Sequence, residues 1–176
     1  FHGSCGDVDG QLDQALSNAE SRKTSLSETS VGFAKLSNSR TTVIIDAAPP
    51  PMGKKAVKAD ASTLAFEMVS GQRRVFTSCG PGYLFGSDLS LVGRQTSSHC
   101  VVYIEDRNSS EFSSVEGWFK TPKKMIINGP RTVPKEITNH EGSGIFGGSQ
   151  GSYDQCSGLT HFRKIMLSQD GHTFER

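Results

Sequence analysis

Apolar positions along this chain repeat with two different periods, and the change falls near Thr24. Before it, Leu12, Ala15, Leu16 and Ala19 recur at i, i+3, i+4 and i+7 behind Asp9, a residue able to cap. That spacing predicts one short N-terminal helix over residues 10–22. Thr24 to Ser30 is rich in Ser and Thr and reads as an exposed connector. From Val31 onward the period is two, the repeat of strands with one buried face. Thr41 to Asp46 is a strand of mostly β-branched residues, stopped by Ala47-Ala48-Pro49-Pro50-Pro51 because proline offers no N–H to a ladder. Thr63 to Val69 alternates, with Leu64, Phe66 and Met68 on one face and Thr63, Ala65 and Glu67 on the other. Ser70-Gly71-Gln72 then turns the chain and Arg73 to Cys79 returns, which together predict a hairpin. A cross-strand pair between Glu67 and Arg73 or Arg74 is expected there.

Farther along, Cys100 to Ile104 reads as a strand followed by the polar loop Asp106 to Ser110. Lys124 to Ile127 leads into the turn Asn128-Gly129-Pro130. Thr132 to Thr138 follows, and Pro134 marks it as an edge or bulged strand. Gly142 to Gly151 is rich in glycine and reads as a loop or a strand in close contact. Phe162 to Leu167 alternates, Gln169-Asp170-Gly171 turns, and Thr173 to Glu175 begins another strand. About nine short strands with one helix predict an all-β protein, an antiparallel β-sandwich. A chain that stops inside a hairpin is expected to continue in its parent beyond Arg176.

Composition narrows the function. A chain of 176 residues fits one domain, here taken as residues 1–176. Lys+Arg 19 against Asp+Glu 18 lacks the concentrated basic excess of a nucleic-acid binder. No segment reaches the roughly 20 apolar residues of a membrane-spanning helix. Cys5, Cys79, Cys100 and Cys156 form neither a C-x-x-C pair nor a zinc-finger spacing, so the plain reading is small buried hydrophobes.

Six blocks in one order carry a family resemblance. Phe1-His2-Gly3 resembles an opening F-N-G. Thr42-Val43-Ile44-Ile45-Asp46-Ala47-Ala48-Pro49-Pro50 is similar to T-V-V-x-D-x-G-P-P. Ala59 to Met68 resembles A-H-A-x-x-L-S-F-E-L, and Gly71 to Gly80 resembles G-x-x-R-L-x-V-N-C-G. Ser98-His99 with Asn108-Ser109-Ser110-Glu111-Phe112 resembles A-H-x-T-L-x-V-D-x-x-N-S-S-E-F. Tyr153, Gly158 to His161 and Leu167 to Gly171 are similar to D-G-Y…G-x-x-H-x-R-x-L-x-L-S-A-D-G. In this order the blocks resemble the C-terminal β-sheet region of the heparinase II/III family of polysaccharide lyases.

The resemblance implies a sandwich that faces an N-terminal α/α-toroid across a cleft, with uronic-acid polysaccharides cleaved there by β-elimination. The toroid carries the family's Tyr and His base and acid. The chain is therefore expected to be cut at both ends relative to its parent, and inactive alone. Its expected partners are an acidic polysaccharide and the missing toroid, with no nucleic acid and no membrane, and its expected location is periplasmic or secreted. Some members hold zinc in the sandwich with two His and one acidic residue. His99 falls on one of these ligands, Asp60 stands where the other His should be, and Thr77 and Ser78 occupy the acidic position. Two ligands make a poor zinc site, so no cofactor is expected. Lys58, two residues before Asp60, offers a point charge to a uronate carboxylate, although a solvated Lys beside Lys54 and Lys55 is the plainer reading. Tyr153 and His161 match the family pattern as substrate-binding candidates. The alternative function is a stand-alone carbohydrate-binding or structural module, whose aromatic candidates are Phe112, Trp118 and Phe119.

Overall fold

The computed structural model describes residues 27–38, 40–86, 89–116 and 123–176. The helix expected over residues 10–22 lies outside them, as do Trp118 and Phe119. Among the described residues the fold is all-β and antiparallel. The first sheet is a five-stranded meander of β1 (Ser27–Ser30), β2 (Phe33–Asn38), β3 (Thr41–Asp46), β4 (Phe66–Ser70) and β5 (Arg73–Phe76). The second, four-stranded, runs β8 (Lys135–His140), β9 (Ser143–Tyr153), β10 (Leu159–Leu167) and β11 (Phe174–Glu175). Between them in sequence, β6 (Glu111–Val115) and β7 (Lys123–Asn128) form a separate hairpin.

The two larger sheets share one core, as the period-two pattern requires. Leu36, Val43, Ile45 and Phe66 come from the first sheet, and Phe146, Ile165 and Leu167 from the second, all at 1% exposure or less. Each such side chain contributes about 1.5–3 kcal/mol through burial. Phe66, Phe76 and Phe174 form a ring cluster with centroids 5.2–6.0 Å apart. The stretch Gly142 to Gly151 resolves as a strand in close contact. A Cβ on Gly148 would lie 2.8 Å from Phe146 Cζ of the same strand and 3.0 Å from Cδ2 of Leu64 in the turn before β4, so only glycine leaves these two side chains their places. Pro134 directly precedes β8, which is an edge strand as expected.

A smaller core joins Ala56 and Ala59 to Met125 and Ile126 of β7, with Val57, Phe112 and Val115 against it. Arg94 fastens this unit. Its guanidinium donates to the carbonyls of Ala56 (3.0 Å), Ala59 (2.7 and 2.9 Å) and Lys124 (2.9 Å), and it lies 5.0 Å from the Phe112 ring centre.

Several expectations need correction. Ser27 to Ser30 is a strand paired with β2, not a connector. The strand expected over Thr63–Val69 begins only at Phe66, because Leu64 adopts a left-handed φ of 66° in a turn where Ala65 N donates to Ser62 O at 2.7 Å. Cys100 to Ile104 is a loop, whose recorded pairing is the single bridge between Ile104 and Arg107. Glu67 pairs with neither arginine; its Oε1 accepts from Ser78 N at 3.2 Å, past a register shift in the returning strand between Arg74 and Phe76. Cys79 lies beyond the end of β5 and is exposed, and Cys100 is only half-buried, so neither is a buried hydrophobe.

Candidate functional site

Strand β11 pairs only with Met166 and Leu167 of β10, which leaves the edge of β10 uncovered over residues 161–164. A pocket of about 530 Å³ opens along that edge, and the loop carrying His99 and Cys100 forms its opposite side. His99 and His161, far apart in sequence, thus share one pocket, at 9% and 5% exposure.

The ring of His161 is oriented by its neighbour. Ser152 N donates to Gln150 Oε1 at 2.7 Å, which turns the Gln150 amide nitrogen toward His161 Nδ1 at 3.5 Å. An amide nitrogen donates, so Nδ1 accepts and the neutral ring keeps its hydrogen on Nε2. Nε2 is buried and has no hydrogen-bond partner among the described residues. Burial first, and Arg163 second, push the imidazole down to about 4, so it is neutral near pH 7.

Three cations border the pocket: Arg163, Lys164 and Arg176. Arg163 lies 5.1 Å from the Phe66 ring centre and donates to Cys100 O at 3.2 Å. Burial, then Arg176, lowers it to about 10, still charged near neutral pH. No acidic side chain lines the pocket among the described residues. Phe162 stands at the rim, 66% exposed. Uncompensated cations beside an exposed ring and a buried N–H donor form a site for an anionic, partly apolar ligand.

The other sequence candidates lie elsewhere. Asp60 is buried and faces Arg94, with Oδ1 3.8 Å from Nε. Burial, only partly offset by Arg94, raises its carboxyl to about 6. Lys58 is exposed at the end of the 3₁₀ turn Gly53–Lys58 and borders neither this pocket nor the polar groove beside β6. Tyr153 is fully buried; its hydroxyl donates to Val102 O at 3.2 Å and lies 3.5 Å from Arg107 O, anchoring the loop between β5 and β6. The family's zinc set does not assemble, because no three His, Cys, Asp or Glu side chains gather as a metal site among the described residues. Asp60 is committed to Arg94, and Thr77 and Ser78 bring hydroxyls in place of a carboxylate. These residues do not fit zinc.

Sequence reasoning passed over Arg163, Lys164 and Arg176. The signal for Arg163 was present, since G-x-x-H-x-R runs through Gly158, His161 and Arg163. Nothing local singles out Arg94, whose partners are carbonyls distant in sequence.

No curated protein matches the chain, and neither does any solved structure. The family model described as heparinase II/III-like, C-terminal, matches residues 22–175. With nearly its whole length matched, the chain belongs to the heparinase II/III-like C-terminal family and is thereby related to the polysaccharide lyases.

Proposed function

We propose that this chain is the β-sandwich portion of a lyase that cleaves uronic-acid-containing polysaccharides by β-elimination, and that it forms one wall of the substrate cleft. In that reaction a base takes the C5 proton, the C4–O bond breaks as a C4=C5 double bond forms, and the departing oxygen takes up a proton. The carboxylate next to C5 must be neutralised for its proton to leave. The observation that carries the reading is the family match combined with a pocket that is cationic and bordered by no acidic side chain among the described residues. In this reading Arg163 and Lys164, rather than the distant Lys58, hold uronate carboxylates, Phe162 stacks on a sugar ring, and neutral His161 donates from Nε2. The base and the leaving-group acid belong to an α/α-toroid of the parent protein, outside this chain.

The exposed Phe162 beside the cations equally favours a second reading, carbohydrate binding without cleavage. One assay separates the two. The parent protein and this chain are incubated with heparan sulfate, heparin and alginate, and the ultraviolet absorbance of the unsaturated uronate product is followed. Product from the parent alone, reduced in its Arg163→Ala variant, supports the lyase reading. Binding by the parent with no product on any substrate establishes the second reading and overturns the first.

A further inference from the structure

The turn that leaves β7 joins an asparagine to a glycine. Asn128 is the last residue of the strand and is exposed, and Gly129 follows it. Of the five asparagines in the chain, Asn128 alone precedes a glycine. An asparagine carboxamide is open to attack by the backbone nitrogen of the next residue, which closes a cyclic imide and expels ammonia. Glycine permits this most readily, because it has no Cβ to obstruct the approach.

The fold brings the two reacting groups together. Gly129 N donates to Asn128 Oδ1 at 3.0 Å, and the carboxamide carbon lies one covalent bond behind that oxygen. The ladder is irregular just before this point. Phe112 faces Ile126 and Glu111 faces Asn128, so Ile127 is an extra residue that disrupts the pairing ahead of its last pair. The glycine itself is fixed by packing. A Cβ on Gly129 would lie 2.6 Å from Ser110 Oγ and 3.3 Å from Pro50 Cγ. The reactive dipeptide is therefore built into the turn.

Other asparagines are held differently. Asn108 Oδ1 accepts from Thr96 N at 2.8 Å, and the nitrogen that would attack it, Ser109 N, donates to Thr96 Oγ1 at 2.8 Å. Ser109 is 1% exposed, so both reacting groups are tied to Thr96 in the interior. Asn38 donates from Nδ2 to Ser168 O at 2.6 Å, which fixes its carboxamide. Asn139 lies within β8 and precedes a histidine.

We propose that Asn128 is a self-modification site, at which the folded chain converts its own amide to an aspartyl or isoaspartyl acid. Gly129 N bonds to Asn128 Cγ as the Cγ–Nδ2 bond breaks, and the Gly129 amide hydrogen leaves with Nδ2 as ammonia. Water then opens the imide. Cleavage of the new Cγ–N bond gives aspartate. Cleavage of the former peptide bond of Asn128 gives isoaspartate, whose main chain is longer by one methylene. Either product sets a carboxylate opposite Glu111, on the wall of the cavity of about 790 Å³ beside β6. Like charges directly opposite repel, so conversion weakens the end of the β6–β7 hairpin. The reaction needs no ligand and is independent of the lyase reading.

The test incubates the 176-residue chain in mildly alkaline buffer, folded and, separately, unfolded in urea. Peptide mapping by mass spectrometry follows the gain in mass as NH₂ becomes OH at each asparagine, and enzymatic methylation of isoaspartate scores the branched product. Folding is expected to slow conversion at Asn128 by less than about tenfold, and at Asn108 by more than that, because Asn108 reacts only when the chain opens around Thr96. An Asn128 that converts in urea but stays intact in the folded chain overturns the proposal. So does equal slowing at the two sites. The peptide from Met125 to Arg131 holds no other side-chain amide, and Asn128→Gln, which would have to close a larger ring, is expected to abolish its mass gain. A gain that persists in this variant also overturns the proposal. The converted chain, separated by its added charge, is expected to melt below the unconverted one, and an unchanged thermal midpoint overturns the weakening of the hairpin.

Discussion

Asp60 and His161 set up opposed pH dependences that cancel in the native chain. Burial holds the Asp60 carboxyl at about 6, above its ordinary value of 3.8, so the folded chain takes up a proton that the unfolded chain lacks in that range. The contribution of Asp60 is fully present below pH 3.8 and is lost as pH rises through 6. Burial holds His161 at about 4, below its ordinary 6.5, so its contribution is present above pH 6.5 and is lost as pH falls through 4. Each pKa unit is 1.36 kcal/mol, so each group contributes about 3 kcal/mol of pH-dependent stability, with opposite signs over nearly the same window. The wild-type chain is therefore expected to show a nearly flat stability between about pH 4 and pH 6 as far as these two groups decide it.

Removing one group exposes the other. Asp60→Asn keeps the side-chain volume and leaves the His161 dependence, so stability falls by about 3 kcal/mol from pH 7 to pH 4. His161→Gln leaves the Asp60 dependence, so stability falls by about 3 kcal/mol in the other direction, from pH 4 to pH 7. Urea unfolding followed by circular dichroism at closely spaced pH values gives both profiles. Their difference is free of every other titration, since the two variants share all remaining groups. Parallel profiles for the two variants would refute the reasoning, because at least one of the groups would then not be held away from its ordinary pKa by burial.

Two further changes test the packing. Arg94→Met removes the donors to the Ala56, Ala59 and Lys124 carbonyls and strands buried Asp60, for an expected loss of about 3 kcal/mol or more in urea unfolding. A loss below about 1 kcal/mol would show that water replaces the guanidinium there. Gly148→Ala puts a methyl against Phe146 and Leu64 and is expected to cost about 1–3 kcal/mol, whereas Gly147→Ala, whose Cβ has Phe162 Cζ at 4.0 Å, should be close to neutral. Equal effects at the two positions would mean that strand propensity, not the crowding by Phe146 and Leu64, sets the cost.

The sandwich was legible wherever burial alternates with the strand. Thr41 to Asp46 and Phe162 to Leu167 announced themselves because their side chains face the core at every second position. Ser27 to Ser30 escaped because a polar strand at a sheet edge carries no apolar pattern to read. The opposite error arose at Cys100 to Ile104. Val101 and Val102 look like strand residues, but they line the His161 pocket, so their apolar character reflects a wall and not a ladder. The meeting of His99 with His161 was not visible from spacing, since it depends on β11 stopping short of the β10 edge. Leu64 had no signal at all, because a buried leucine in a left-handed turn breaks the local preference that sequence reading relies on.

Both cavities are bordered in part by the connection from Thr77 to Ser110, whose described residues form only short 3₁₀ turns and a single bridge. So long an irregular segment in a compact domain is either a functional surface or poorly ordered. Here its own polar residues order it. Thr96 Oγ1 donates to Ala61 O at 3.0 Å and accepts from Ser109 N at 2.8 Å, while Ser98 Oγ donates to Val92 O at 2.7 Å. These two side chains are at most 7% exposed, so they act as substitutes for a sheet ladder and not as candidates for chemistry. Tyr153 adds the outer tie at Val102, on the side of the His161 pocket, within reach of Arg107, on the side of the groove. With the segment anchored in this way, the side chains that border a cavity are those at its two faces. One face carries His99 against the cations of β10, and the other carries Arg107 and the N-S-S-E-F block. A single well-anchored loop can therefore border two cavities without either depending on the strands for its shape.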